Sequence, residues 1–299
     1  MNKNVGKKLR WNRMLLVGIL IICVGIALIY LALPGGKLWR NYLDDIAVSF
    51  KATEREQATS KRFTKETMQE LPEQIQKHIE NGGYLNQPLM SNMHIRFYNT
   101  KFRMSEDKEP MAIDFQQVNF VERPDRHAFL TGRMFGLPIQ AKDSTIDGVG
   151  SMTGILAKQI QLFRSTGPEM DQGQLITALA DAVFMPALFL QDFVSWTIID
   201  EQTVEGQIAW QGVSAKGQFT FDEHGNIARF DTEDRYRDDN GKSSKLVPWF
   251  VTYERYQKQG GHWLPGHVKV NWVMPNGEYT YFESDNMEVD FSVAKDQIG

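Results

Sequence analysis

The chain has 299 residues, of which 42% are hydrophobic, a single cysteine and a formal net charge of −4. The first thirteen residues carry five basic side chains and no acidic one, which leaves residues 14–299 with a net charge of −9. One cysteine excludes a disulfide framework, and an acidic chain without a basic stripe argues against nucleic-acid binding.

Residues 14–33 are twenty consecutive positions without a charge, and they predict a transmembrane helix. A helix of that length spans the ~30 Å hydrocarbon core of a bilayer. The basic residues precede it, so the positive-inside rule places residues 1–13 in the cytoplasm as a basic tail and the rest of the chain outside. A cleaved signal peptide is the alternative, but the apolar run is long for one and ends in a poor cleavage site, LALP at 31–34. We therefore expect a single-pass protein of the cytoplasmic (inner) membrane with an uncleaved anchor.

Residues 34–62 follow as a juxtamembrane linker or helix, and the charged stretch at 51–57 is typical of a solvated segment. Apolar residues then recur at helical spacing, which predicts a short amphipathic helix near 64–80. Pro72 lies inside this pattern and is expected to open the second half of the helix.

From about residue 90 the apolar period changes to two, as at Ile95 and Phe97, and this alternation predicts half-buried antiparallel strands. Asn276-Gly277 between two alternating runs is a strong hairpin signal, because a type I′ turn needs positive φ at both central positions.

One helix interrupts the predicted strands. Asp171 is the expected N-cap, apolar residues form one continuous helical stripe, and Pro186 should kink or end the helix. An apolar helix in a strongly curved sheet covers a sheet face or plugs a half-barrel. We therefore predict an α+β fold in which the transmembrane helix precedes an extracytoplasmic antiparallel β domain at 63–291, with helices near 64–80 and 171–189.

The sequence contains no zinc-protease motif, no α/β-hydrolase nucleophile motif and no P-loop. His262 and His267 are close enough in sequence to bind a metal, but Pro265 and Gly266 between them favour a turn. We assign no catalytic residue, no metal and no cofactor, and a function other than catalysis is favoured.

Five residues are candidates for ligand binding. Asp181 lies beside the apolar stripe of the predicted helix, and Arg235 lies on a predicted strand. If both point inward they pair inside a cavity, because a buried charge needs a partner; otherwise both face outward. Trp196, Trp249 and Trp272 are typical core residues, but aromatic side chains on the concave face of one curved sheet would form an apolar groove.

Short motifs spread over roughly residues 70–290 occur in the order of a known family. They are DGVGSM at 147–152, LITALAD at 175–181, PAL at 186–188, WTIID at 196–200, FDEHGN at 221–226, DRY at 234–236, PW at 248–249 and GHWLP at 261–265. The pattern resembles a bacterial envelope family of unknown function of the DUF6544/DUF6920 type. The resemblance implies a half-barrel similar to that of periplasmic lipoprotein carriers (LolA-like), with an apolar cavity, and it implies no activity.

Three functions remain open. The favoured one is a membrane-anchored extracytoplasmic protein that binds a lipid or other apolar ligand in the groove of the half-barrel. The first alternative is a structural or regulatory envelope protein that acts through a protein partner. The second is an envelope hydrolase with Asp181 or a histidine as base.

Overall fold

The computed structural model describes residues 3–33, 35–53, 61–238 and 244–298. Within these ranges the α-helices are α1 (Lys3–Ala32), α2 (Lys37–Thr53), α3 (Lys65–Met68), α4 (Glu73–Asn81) and α5 (Pro168–Asp181). The strands are β1 (Asn92–Phe102), β2 (Met111–Phe120), β3 (Arg126–Met134), β4 (Leu137–Ile146), β5 (Val149–Leu156), β6 (Ile160–Thr166), β7 (Val194–Ile198), β8 (Thr203–Trp210), β9 (Val213–Phe221), β10 (Ile227–Thr232), β11 (Tyr236–Asp238), β12 (Ser244–Leu246), β13 (Trp249–Glu254), β14 (Gln257–Gln259), β15 (His262–Leu264), β16 (His267–Met274), β17 (Gly277–Ser284) and β18 (Met287–Phe291).

α1 contains Met14–Leu31, a run of 18 strongly apolar residues, none of which is buried by the rest of the protein. Among the described residues it is the one helix long and apolar enough to cross a membrane, and a signal sequence has the same properties. The end of α1 contacts the β domain, since Lys158 Nζ donates to the carbonyl oxygen of Tyr30 at 2.8 Å and to that of Leu33. A cation at this position satisfies free carbonyls of the helix and complements its dipole.

α2 is an amphipathic helix that is docked on the outer face of the sheet. Its buried face repeats every four residues, through Leu38, Tyr42, Ile46 and Phe50, and packs against apolar side chains of β2 and β3. The part of the juxtamembrane segment at residues 37–53 is therefore a helix, and it is docked because this apolar stripe covers part of the sheet. Residues 54–57 of the charged stretch lie outside the described residues.

Fourteen strands form one antiparallel sheet in the order β6-β5-β4-β3-β2-β1-β17-β16-β13-β10-β9-β8-β7, with β18 paired to β1. The described strands that remain form two ribbons, β11–β12 and β14–β15. Side chains alternate across the sheet, so that β9 buries Ala215 and Phe219 and exposes Ser214 and Lys216. The antiparallel sheet predicted from the period of two is confirmed.

The sheet bends around α5. This helix contacts β4, β5 and β6 near one edge of the sheet and β8 and β9 near the other. Strands lie ~4.8 Å apart and a helix is ~10 Å wide, so one helix reaches both groups only if the sheet curves around it. The turns after β4 and β8 also meet, where Gln211 Nε2 donates to Asp147 Oδ1 at 3.0 Å. The sheet is nevertheless open, because no ladder among the described strands joins β6 to β7.

The bounds of α5 differ from the prediction of 171–189. The helix begins at Pro168, whose ring fixes a helical φ at the first position, and Asp171 instead accepts a hydrogen bond from the backbone N–H of Gly150 at 2.6 Å. It ends at Asp181, and Pro186 opens a separate 3₁₀-helix, Pro186–Leu190. Proline disfavours helical backbone in the residue before it, so the two helices do not merge.

The helix predicted near 64–80 forms as two pieces, α3 and α4. Pro72 separates them and is the N-cap residue of α4, while Thr64 caps α3. Ile75 and Ile79 of α4 are fully buried in the main core, which fills much of the inside of the curved sheet. The core leaves a large space open beside α5.

Candidate ligand-binding cavity

A cavity of about 660 Å³ lies between the inner face of the sheet and α5. Side chains from β1–β6, β13, β16, β17, α5 and the β11–β12 ribbon line it. Small-molecule sites in proteins have volumes of ~300–1,000 Å³, so this space is of the size that holds a ligand. One side of the cavity is apolar, and the other carries charged groups.

The apolar side is an aromatic wall, defined here as Phe97, Phe115, Trp249, Trp272, Tyr281 and Phe282. The rings contact one another: Phe282 lies 5.3 Å from Phe97 and 5.6 Å from Phe115 between ring centroids. The indole N–H of Trp249 donates to Tyr281 Oη at 3.1 Å, which satisfies a group that would otherwise need a polar ligand. The wall therefore presents ring surfaces to whatever fills the cavity.

The opposite side holds a polar cluster of Gln117, Arg126, Asp143, Gln174 and Asp181. Arg126 Nε donates to Asp181 Oδ2 at 2.9 Å, Nη1 to Asp143 Oδ2 at 2.8 Å and Nη2 to Gln117 Oε1 at 2.9 Å. Burial disfavours the charge of Arg126, but the carboxylates of Asp181 and Asp143 raise its pKa above the ordinary value. The cluster ties the end of α5 to β2, β3 and β4.

The pairing expected between Asp181 and Arg235 is wrong, although both residues line the cavity. Asp181 Oδ2 accepts hydrogen bonds from Arg126, Gln117 and Asn119. The sheet places Arg126, at the start of β3, next to the end of α5. The hydrogen bonds from Arg126 and its two neighbours therefore occupy the carboxylate of Asp181. Whether Asp181 binds a ligand stays a prediction.

Arg235 takes a different position, against the aromatic wall. Its guanidinium carbon lies 4.6 Å from the ring centroid of Trp249 and 5.7 Å from that of Trp272. Its Nη1 donates to the carbonyl oxygen of Gly173 at 2.6 Å and to Thr177 Oγ1, both on α5. Burial lowers its pKa.

Two of the three predicted tryptophans line the cavity, namely Trp249 and Trp272. Trp196 does not line it. It lies on edge strand β7, where its ring centroid is 5.4 Å from Phe189 and 5.8 Å from Phe219. Trp196 is thus half-buried and packs against the core in the far wall of the sheet.

A second group of polar side chains lies where α2 packs against the sheet, and it contains the serine, histidine and aspartate that form a hydrolase triad. Ser49 Oγ donates to Asp125 Oδ2 at 2.6 Å and lies 2.9 Å from His127 Nε2. In a catalytic triad the carboxylate binds the histidine, whereas here it binds the serine, and all three side chains are buried. Burial lowers the pKa of His127 to about 3, so this ring is neutral at pH 7. The group anchors α2 to the sheet.

The two histidines considered as metal ligands have separate environments. His262 stacks on Tyr84 with ring centroids 4.2 Å apart, and His267 lies 3.0 Å from Glu254 and 3.2 Å from Glu283. Within the described parts of the chain, no group of three His, Cys, Asp or Glu side chains is placed to hold a metal ion.

Sequence reasoning missed four members of the polar cluster: Gln117, Arg126, Asp143 and Gln174. One signal was present, since Gln117 and Asn119 alternate with apolar Val118 and Phe120 in one strand. That pattern, however, is also the pattern of a strand with a solvated face. The alternation does not reveal that the polar face of β2 points into the molecule.

Comparison with models of protein families agrees with the motif pattern. The family model of a family of unknown function (DUF6544) matches residues 61–284. A solved structure that is similar is that of a LolA superfamily protein from Nitrosomonas europaea, with 9% sequence identity and a TM-score of 0.36, over 75% of this chain and 94% of that chain. Among curated proteins, none matches the sequence.

Proposed function

Since this chain belongs to the DUF6544 family, whose function is unknown, we propose a function from its cavity: the protein binds a lipid or another apolar ligand inside the curved sheet. The observation that carries the proposal is the aromatic wall, which borders an open space of about 660 Å³ while the surrounding core is filled. Apolar surface that faces water in such a space is unfavourable, and an apolar ligand that covers the rings is stabilised in proportion to the area it removes from water.

The finer description of the molecule forms part of the same proposal. The bent, open sheet around α5 acts as a half-barrel, and α5 is the helix that plugs it. α1 anchors the protein in the cytoplasmic membrane, and the basic residues before it keep the N-terminus inside. In that arrangement the β domain is extracytoplasmic and starts directly at the membrane surface, because Lys158 holds the last turn of α1. A lipid then has a short path from the bilayer to the cavity.

The test uses the full-length protein purified in a non-ionic detergent, with the co-purified lipids identified by mass spectrometry. Ala128 is buried and lines the cavity, so Ala128→Trp places an indole in this space. Ala112 on the neighbouring strand is exposed, and Ala112→Trp is the matched control. The proposal predicts one retained lipid or amphiphile in the wild type and in Ala112→Trp, and a loss in Ala128→Trp. Equal retention by all three proteins, or retention by none, would contradict it.

A second candidate function is an envelope protein that acts through a protein partner. The open edges of the sheet favour it, since edge strands offer unpaired backbone groups to another chain. On edge strand β7, Ile198 is 62% exposed, and Ile199 follows it at 49%. Cross-linking in cells from an Ile198→Cys variant tests this candidate: a single recovered partner supports it, and a pattern equal to that from an exposed site on the helix α2 counts against it.

A further inference from the structure

The cavity has the opposite charge to the protein around it. Five arginines and three acidic residues line it, which gives a net charge of +2, whereas residues 14–299 together carry −9. They are Arg103, Arg126, Arg164, Arg235 and Arg237, with Asp143, Glu169 and Asp181. Such a concentration of positive charge in an acidic protein attracts anions into the site.

Ion pairs compensate only part of this surplus. Arg126 is neutralised by the two carboxylates of the polar cluster, and Arg237 pairs with Glu106 at 3.0 Å. Within the described residues, Arg235 forms no ion pair, and its Nε and that of Arg103 are buried without a hydrogen-bond partner. Burial lowers the pKa of Arg235, while that of the paired Arg126 is raised. A guanidinium that is desolvated in this way is stabilised by any anion that reaches it.

Arg235 also lies at the boundary between the two halves of the cavity. Its guanidinium rests on the rings of Trp249 and Trp272, and its Nη1 binds the helix on the other side. A headgroup at Arg235 would therefore leave the rest of an extended ligand against the aromatic wall. From this placement we propose that the ligand is an anionic amphiphile, whose carboxylate or phosphate headgroup pairs with Arg235. This inference rests on the proposed function, because it needs the apolar cavity to hold the chain.

The test compares probes that share a sixteen-carbon chain and differ in the headgroup: palmitate, hexadecyl phosphate and hexadecanol. Full-length protein in a non-ionic detergent is mixed with pairs of probes, and native mass spectrometry measures the ratio bound, with protein-free micelles as the partition reference. A charge-assisted hydrogen bond predicts that the wild type prefers an anionic probe to hexadecanol by about 10- to 100-fold.

Two variants assign this preference to one residue. Arg235→Gln should lose the preference and still bind hexadecanol, a result that a merely structural role for Arg235 does not produce. Arg133 is exposed on β3, so Arg133→Gln makes the same change of charge outside the cavity and should behave as the wild type. If Arg235→Gln does not fold, Arg235→Lys, which keeps the charge and loses the planar stack on the ring, should show a reduced preference.

Each result has a defined meaning. A preference for palmitate alone or for hexadecyl phosphate alone supports the proposal and identifies the headgroup. Equal binding of all three probes by the wild type, or an unchanged preference in Arg235→Gln, overturns the headgroup site and leaves the apolar cavity standing. Displacement by inorganic phosphate as effective as that by hexadecyl phosphate also overturns it, because no chain would then be needed. Failure of every probe to bind would refute the proposed function itself.

Discussion

Replacing Arg126 by methionine tests how the polar cluster holds α5 within the sheet. The side chain of Arg126 is 6% exposed, and those of its partners Asp143 and Asp181 are 19% and 21% exposed. Methionine removes the cation and leaves two carboxylates close together in a largely buried site. Breaking a buried ion pair from one side costs about 3–5 kcal/mol, because the remaining charges lose their compensation. We therefore expect Arg126→Met to lower the free energy of unfolding by about 3–5 kcal/mol at pH 7.

The assay is urea unfolding of the full-length protein in a non-ionic detergent, followed by circular dichroism. With an m-value of about 2–3 kcal/mol per molar urea, the midpoint should fall by roughly 1–2.5 M. The triple variant that adds Asp143→Asn and Asp181→Asn should recover most of the loss, since no charge is then left unpaired. A deficit below about 1 kcal/mol for Arg126→Met, or no recovery in the triple variant, would refute this reasoning.

Three further predictions concern the elements around the cavity. If α2 is docked, Phe50→Ala should destabilise the protein by about 3–5 kcal/mol. Val48→Ala, on the exposed side of the same helix, should cost less than about 0.5 kcal/mol. Equal unfolding midpoints of the two variants would contradict the docking. Tyr42→Phe should leave stability unchanged or slightly higher in the same measurement, because the buried Tyr42 hydroxyl has no partner among the described residues; a loss above 1 kcal/mol would reveal a missed hydrogen bond. In the folded protein, burial lowers the pKa of His78 from 6.5 to about 4. As the pH falls, His78 therefore takes up a proton in the unfolded chain before it does so in the folded protein. About 3 kcal/mol of stability should be lost between pH 6.5 and pH 4. His78→Gln should reduce this acid sensitivity and His224→Gln, at an exposed histidine, should not; identical pH profiles would contradict the assignment.

Much of the sheet could be predicted from local patterns. β9 alternates buried and exposed residues, and a hairpin joins β16 to β17 as expected. The type of its turn was wrong, because the central residues are Pro275 and Asn276 rather than Asn276 and Gly277, and of these three only Gly277 has a positive φ. The family followed from motifs in a fixed order, and the match over residues 61–284 confirms it. The docking of α2 could also be predicted, because the apolar residues from Leu38 to Phe50 recur every four positions. The charged stretch that follows them indicated a solvated segment instead.

The arrangement of the cavity depends on information that a local pattern does not contain. Asp181 meets Arg126 across 55 positions and Gln117 across 64, and these contacts exist only because β2, β3 and α5 adopt one particular arrangement. An inward-facing polar residue and a solvated one produce the same alternation in a strand. Four of the five residues proposed from the sequence line the cavity, and their binding of a ligand stays a prediction. The sequence did not reveal that Asp181 pairs with Arg126, nor that Trp196 lies outside the cavity.

The most direct test of an occupied cavity is quenching of tryptophan fluorescence by a brominated fatty acid, because bromine quenches only rings that it contacts. Full-length wild type and Trp196→Phe, which lacks a tryptophan outside the cavity, should show the same saturable quenching. The double variant Trp249→Phe/Trp272→Phe should lose it, because both cavity indoles are gone. Saturable quenching that persists unchanged in the double variant, or none in the wild type, would contradict the central claim that an apolar chain lies along this wall.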